Sequence, residues 1–410
     1  MEEELKPKLR FNNFEKPWQQ SLLMDQVEIR RGLTYKPSDV RSSGVRVLRS
    51  SNIVDDTFIL SDDDVFVDKG VVNIPKVSNG DILVTAANGS TKLVGKHAIL
   101  KNLPDDEIVV HGGFMLLFKT EQNYFVNAWM SSNEYKRVLQ FVQGGNGAIG
   151  NLSSTVLKSM KMSFPSVQEQ SAIGSFFRTL DDLLASYKDN LINYQSLKAS
   201  MLSKMFPKAG QTVPEIRING FEGEWEKYYL GDIFEQISNY IEPSEENELW
   251  SLTVEKGLTP KTERYKRDFL VKKNDKFKKV DLNEFVYNPM NLTLGSLDLN
   301  NNDITISVSG YYVVMKNIDV EKFNNDFLKI LLKTTYAIYQ YKQFATGTLI
   351  EKQRVQFPTF SEIPFYLPTI AEQQAIGSYF SNLDNLINSH KEKISQLETL
   401  KKKLLQEMFI

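Results

Sequence analysis

The chain has 410 residues, a formal net charge of −2, 41% apolar and 24% charged residues, and no cysteine. That length exceeds one hydrophobic core and implies about two to three domains, while the missing cysteine excludes disulfide frameworks, thiolate metal sites and cysteine nucleophiles. The acidic start Met1-Glu2-Glu3-Glu4 and the lack of a long apolar run predict a cytoplasmic protein without signal peptide or membrane span, and the near-neutral balance confines any nucleic-acid contact to local patches.

An N-terminal segment, 1–17, carries Pro7, Arg10, Asn12, Phe14 and Glu15, and Trp18, Leu23 and Asp25 follow it. All of these recur 207 positions later as Pro214, Arg217, Asn219, Phe221, Glu222, Trp225, Leu230 and Asp232. The first globular segment, 18–165, is strand-rich by pattern. Val45-Arg46-Val47-Leu48-Arg49 alternates, Asp81-Ile82-Leu83-Val84-Thr85 follows an Asn79-Gly80 turn, and Phe114-Met115-Leu116-Leu117-Phe118 has the length of a buried strand. Helical spacing from Asn127 to Val142 ends at Gly144-Gly145-Asn146-Gly147.

A long helix is expected over 166–206. It opens Glu169-Gln170-Ser171-Ala172-Ile173-Gly174 and is apolar at Ile173, Phe177, Leu180, Leu184, Tyr187, Leu191, Tyr194, Met201 and Met205. Steps of three and four are the spacing of a coiled-coil seam. Residues 207–214 read as a crossover loop, with turn formers at both ends. The second globular segment, 215–367, follows a related plan: Gly310-Tyr311-Tyr312-Val313-Val314-Met315-Lys316 sits where Gly113-Phe114-Met115-Leu116-Leu117-Phe118-Lys119 sat, and a helix is expected from Asn325 to Phe344.

The final segment, 368–410, repeats the long helix at an offset of 203. Glu372-Gln373-Gln374-Ala375-Ile376-Gly377 opens it, and Ile376, Phe380, Leu383, Ile387, Ile394, Leu397, Leu404 and Met408 form its seam, interrupted at His390 and Lys401. Such a helix would run about ten turns, roughly 57 Å. A shared Glu-Gln opening, an Ala-Ile-Gly turn and a Met-Phe exit (Met205-Phe206, Met408-Phe409) mark an internal duplication. The globular fillings scarcely align. Two matched seams can bury each other by pairing antiparallel, which predicts an α+β fold: two strand-rich domains joined by two long coiled-coil helices with pseudo-twofold symmetry.

With both copies in view, the chain resembles the specificity subunit of a Type I restriction–modification system over its whole length. The resemblance rests on the duplicated Pro…Glu-Gln…Ile-Gly helix openings, on Leu48-Arg49-Ser50-Ser51-Asn52-Ile53, and on Gly80-Asp81-Ile82-Leu83 with the later Gly95-Lys96. It implies two target-recognition domains at opposite ends of the helical pair and a non-catalytic subunit without cofactor. It also implies double-stranded DNA as ligand, two methyltransferase subunits as partners, and two restriction/translocase subunits in the full complex. Unlike fillings then predict an asymmetric, bipartite target, with the helices as a ruler between half-sites. A stand-alone site-specific DNA-binding regulator and a coiled-coil interaction adaptor are the rival readings.

Three enzyme signatures are incomplete. Gly89-Ser90-Thr91-Lys92-Leu93-Val94-Gly95-Lys96-His97 imitates a phosphate-binding loop with one residue too many and His97 in place of the hydroxyl. Asn288-Pro289-Met290 lacks the second proline and aromatic of an amino-methyltransferase motif, and Pro104-Asp105 with Glu134-Tyr135-Lys136 is a short, loose nuclease pattern. His97, His111 and His390 have no metal-ligand spacing. No catalytic or metal residue is expected.

The positive signal is electrostatic. Ten basic residues lie between Lys256 and Lys279 (Lys256, Lys261, Arg264, Lys266, Arg267, Lys272, Lys273, Lys276, Lys278, Lys279), interleaved by Tyr265 and Phe269, a pattern suited to phosphate contact. Base readout needs Arg, Asn, Gln, Ser or Thr on groove-facing loops. The candidates are Arg30, Arg31, Lys36, Arg49, Ser50, Asn52, Asn88, Ser90, Lys92 and Asn146 in the first domain. In the second they are Lys256, Lys261, Asn291, Thr293, Thr348, Lys352 and Arg354.

Overall fold

The computed structural model describes residues 5–143, 151–244, 247–260, 277–347 and 353–410. The chain forms two compact units, Met1–Lys188 with Glu392–Ile410, and Asp189–Lys391. The first contains β1 (Gln19–Leu22), β2 (Glu28–Arg31), β3 (Ile82–Thr85), β4 (His97–Ile99), β5 (Met115–Lys119), α1 (Asn123–Ser131), α2 (Asn133–Gln143), β6 (Lys161–Phe164) and the start of α3 (Val167–Lys204). The second contains β7 (Glu226–Tyr229), β8 (Phe234–Ile237), β9 (Glu284–Tyr287), β10 (Leu297–Leu299), β11 (Val313–Asn317), α4 (Asn325–Leu331), α5 (Thr335–Phe344), β12 (Pro364–Leu367) and the start of α6 (Ile370–Glu407).

One sheet occurs twice. Its order is β2-β5-β3-β4 in the first unit and β8-β11-β9-β10 in the second, with every neighbour antiparallel. The central strand is apolar without alternation because both of its faces are covered. Leu116 and Phe118 join one core and Met115 and Leu117 another; Val313 and Met315 are likewise separated from Val314. Each globular segment also closes on itself, since β1 pairs with β6 and β7 with β12.

The second layer differs between units. The first has a four-stranded sheet of Val109–His111, Val45–Leu48, Val65–Val67 and Val40–Arg41, including one parallel pair. The second has a three-stranded sheet of Tyr240–Ile241, Phe277–Val280 and Ile306–Ser309 beside a hairpin of Trp250–Thr253 and Gly257–Pro260. This difference is why the two fillings scarcely align.

Three expectations need correction. The helix expected over 127–142 is two helices, α1 and α2, because Ser132 between them is extended (φ −76°, ψ 171°). The helix expected over 325–344 also splits, because Thr334 is extended and its side chain caps α5 by accepting from the Ala337 N–H at 3.1 Å. Apolar periodicity runs straight through such a cap. Phe114, expected inside the strand, lies on the turn before it and is 75% exposed.

The long helices explain the duplicated residues. Glu169 in the first turn of α3 is 1% exposed at its side chain, and Arg10 donates to it twice, Nε to Oε1 and Nη2 to Oε2, both at 2.7 Å. Arg217 clamps Glu372 of α6 in the same way, at 2.9 and 2.6 Å. Gln170 and Gln373 each donate to the carbonyl five residues back, Pro165 and Pro368, at 2.9 Å. The Met-Phe exits plug the cores: Phe409 packs on Trp18, Phe125 and Phe177 in the first unit, and Phe206 on Phe327 and Phe380 in the second.

Within the first unit α3 and α6 run antiparallel, with Asp181 paired to Lys401 at 2.6 Å and Lys188 to Glu398 at 2.7 Å. Within the second, Lys198 pairs with Asp384 and Tyr194 packs edge-on against His390. The two interruptions of the seam, Lys401 and His390, therefore have partners across it.

Gly174 has its own reason. A Cβ there would stand 2.8 Å from the Phe125 nitrogen at the start of α1. Gly174→Ala gains about 1 kcal/mol of helix propensity against overpacking of about 1–3 kcal/mol. A net loss of up to about 2 kcal/mol is expected in chemical denaturation, and a stabilised variant would show that the helices can separate freely.

Candidate nucleic-acid interface

In each unit one edge of the repeated sheet ends in a cluster of loops. In the first unit the turn Gly112-Gly113-Phe114 joins the exits of β2 and β3. The Phe114 carbonyl accepts from the Ala86 and Ala87 N–H groups at 2.9 and 3.1 Å, and the Leu48 carbonyl accepts from the Gly112 N–H at 2.9 Å. Backbone packs on backbone: a Cβ on Gly32 would lie 1.9 Å from the Gly112 oxygen. Asn88 leaves the same corner and donates from Nδ2 to Ser50 Oγ at 3.2 Å, while its Oδ1 accepts from the Ser90 N–H at 3.0 Å. Arg49 comes beside Gly112, where a Cβ would meet its Cγ at 3.9 Å, and its Nε is buried without a partner.

The structure therefore brings Arg49, Ser50, Asn88 and Ser90 together. Arg30 and Arg31 stand at the end of β2; Arg30 pairs with Glu28 at 2.7 Å and Arg31 donates to Ser154 Oγ. Lys36 is exposed a few residues on. Lys92 lies elsewhere, in a cleft of about 980 Å³ that Lys136 and Lys402 also line, and none of these three ammonium groups has a hydrogen-bond or ion-pair partner among the described residues.

Asn52 does not fit its expected role. It is fully buried; its Oδ1 accepts from the Arg49 N–H, and its Nδ2 donates to the Ile59 carbonyl and Asp64 Oδ1. Its amide holds the loop that presents Arg49 and has no free group for a base. Thr293 is also buried, within a short helical turn before β10. Both side chains serve the interior.

In the second unit the corresponding corner joins the turn Gly310-Tyr311-Tyr312 to the exit of β9, Asn288-Pro289-Met290-Asn291. Asn288 Oδ1 accepts from the Met290 N–H at 3.0 Å, and the Pro289 carbonyl accepts from the Val355 N–H at 3.0 Å. In the first unit the Ala86 carbonyl accepts likewise from Leu152 at 2.8 Å, so this one backbone hydrogen bond is common to the two corners. Arg354 exchanges backbone hydrogen bonds with Thr346, and Asn291 and Lys256 are exposed. Lys278 donates to the Tyr312 carbonyl at 2.7 Å, and burial lowers its pKa.

Asn146, Lys261, Thr348 and Lys352, together with the run from Arg264 to Lys276 and its Tyr265 and Phe269, lie outside the described residues.

The residues of the near-motifs are committed to structure. Lys96 Nζ donates to the Ile53 carbonyl at 2.7 Å, so it does not point into a phosphate cradle. His97 is buried within hydrogen-bonding reach of the Gly95 and Asn127 carbonyls, and burial pushes its pKa down. Glu134 accepts from Trp129 Nε1 at 2.6 Å and from the Ser163 N–H and hydroxyl, and burial raises its pKa. No group of His, Asp and Glu among the described residues could hold a metal ion, and no described helix is long and apolar enough to cross a membrane.

The family model described as Type I restriction modification DNA specificity domain matches residues 15–194 and again 222–399. A Methanocaldococcus jannaschii protein named as the MjaX specificity subunit of a type I restriction enzyme is 24% identical over 402 residues, covering 95% of this chain and 92% of that one. The MjaVIII specificity subunit of the same organism is 22% identical over 283 residues, 63% of each. In fold, the chain is similar to the S subunit of a type I restriction–modification system from M. genitalium, with a TM-score of 0.60 at 14% identity and 99% of both chains covered.

Proposed function

Because the chain belongs to the family of type I restriction–modification DNA specificity subunits, we propose that it reads an asymmetric, bipartite duplex target with one globular segment per half-site. The segments are 18–165 and 215–367, and the reading rests above all on one observation. The same four-stranded sheet occurs twice and ends in unlike loops at the same edge. A common frame with different side chains suits two half-sites of different sequence.

Arg30, Arg31, Lys36, Arg49, Ser50, Asn88 and Ser90 are the proposed contacts of the first segment, with Lys256, Asn291 and Arg354 in the second. Asn146, Lys261, Thr348 and Lys352 remain candidates on sequence grounds. The chain itself performs no catalysis in this reading. It carries two methyltransferase subunits, and two restriction/translocase subunits in the full cytoplasmic complex, with the flanks of α3 and α6 as docking faces. Lys and Arg would mostly grip phosphates, positioning the chain without choosing a sequence.

Both long helices are unbroken for 38 residues. Seven added residues lengthen such a rod by about 10 Å, or roughly three base pairs at about 3.4 Å each. Methylome sequencing of cells that carry the chain with its cognate methyltransferase should show a split asymmetric motif. One heptad inserted in both α3 and α6 should widen the unread gap by about three base pairs and leave both half-sites unchanged. Altered bases at a constant gap would rule out the ruler.

A further inference from the structure

Phe114 is 75% exposed and Tyr311 is 88% exposed, whereas no other large apolar side chain among the described residues exceeds 61%. The two are equivalent. Each follows a glycine, Gly113 or Gly310, and each precedes the central strand of its sheet. Met115 faces Thr85 in β3 and Val313 faces Tyr287 in β9. Continued along each strand, that register sets Phe114 against Ala86 and Tyr311 against Pro289, the residues whose carbonyls accept from Leu152 and Val355.

The proposed function supplies the premise for the next step. We propose that Phe114 and Tyr311 are a matched pair of aromatic wedges, one for each half-site, whose rings insert against the base stack of the duplex.

Several observations support duplex DNA as the occupant. The turns are stiff, as a wedge must be. The Phe114 carbonyl accepts two N–H groups, and the Met115 N–H donates to the Gly112 carbonyl at 2.8 Å. In the other unit the Tyr312 N–H donates to the Ser309 carbonyl at 3.0 Å, and Lys278 holds the Tyr312 carbonyl. The first ring shares its corner with Arg49, Ser50 and Asn88, a hydrogen-bonding setting rather than an apolar patch.

The chemistry also explains why these residues match where their surroundings do not. Stacking on a base uses its π-face, which every base has, so one device serves two half-sites of different sequence. Hydrogen-bonding loops must differ for the same purpose. Inserted apolar side chains unstack a base step and kink the duplex.

The test uses the complex of this chain with its cognate methyltransferase on a duplex carrying the methylome-derived motif. 2-Aminopurine is placed in turn at steps of each half-site other than the methylated adenine. Binding should raise its fluorescence at one step per half-site. Phe114→Ala should abolish the rise in one half-site only and weaken binding roughly tenfold to a hundredfold, and Tyr311→Ala should do the same in the other. Phe114→Tyr and Tyr311→Phe should keep both signals, since the ring and not the hydroxyl acts. Alanine variants with wild-type affinity and both rises intact overturn the wedges while leaving the split motif standing. A methylome with no split motif overturns the proposed function instead. Failure of the alanine variants to assemble with methyltransferase, measured by sedimentation before DNA is added, assigns the rings to a protein contact and also overturns the wedges.

Discussion

Arg10→Ala is expected to destabilise the first unit by about 3–5 kcal/mol, with Tm lower by on the order of 10 °C. The substitution strands the Glu169 carboxylate, 1% exposed, with only a long 3.4 Å contact from Trp18 Nε1. Removing one partner of a buried pair leaves a desolvated charge, which costs more than the pair contributed. Two features bring the loss toward the lower end: the guanidinium is itself 14% exposed, and Glu169 lies in the first turn of α3, where the helix dipole favours an anion. Arg10 also donates to the Lys16 carbonyl at 2.6 Å, so the N-terminal arm should loosen with it. Arg217→Ala should act alike in the second unit through Glu372. Calorimetry on the whole chain measures the loss, and the double variant Arg10→Met with Glu169→Leu should recover most of it, because a packed apolar pair needs no charge partner. A loss below about 1 kcal/mol, the range of an exposed pair, would show that the arm is not clamped.

The frame was legible because the repeated residues are the ones that pack it. Glu169, Ile173, Gly174, Phe177 and the Met408-Phe409 exit sit in one core or against it, and their counterparts do the same in the other unit. Which residues meet was not legible. Arg10 and Glu169 are 159 positions apart, and each belongs to its own repeat pattern.

The loops resisted more. Asn52 is a hydrogen-bonding residue on a loop, the profile of a base reader, yet loops must first satisfy their own backbone, and its side chain does that. Thr293 turns inward in the same way. Phe114 shows the opposite error: its apolar run has strand length, but the run cannot mark where the strand begins. Gly113-Phe114 and Gly310-Tyr311 carried that information as a repeat at one register.

Replacing residues 18–164 with the matching segment of another family member tests the central claim most directly. The ends of that segment are neighbours, since Gln19 faces Phe164 and Leu22 faces Lys161 across β1 and β6, so a graft can close without moving α3. The incoming segment must supply aromatic partners for Phe409 where Trp18 and Phe125 now stand. Methylome sequencing of cells carrying the chimera with the cognate methyltransferase should show one half of the split motif exchanged for the donor's, with the other half and the gap unchanged. An unchanged motif, or one in which both halves change together, would contradict two independent readers on one duplicated frame.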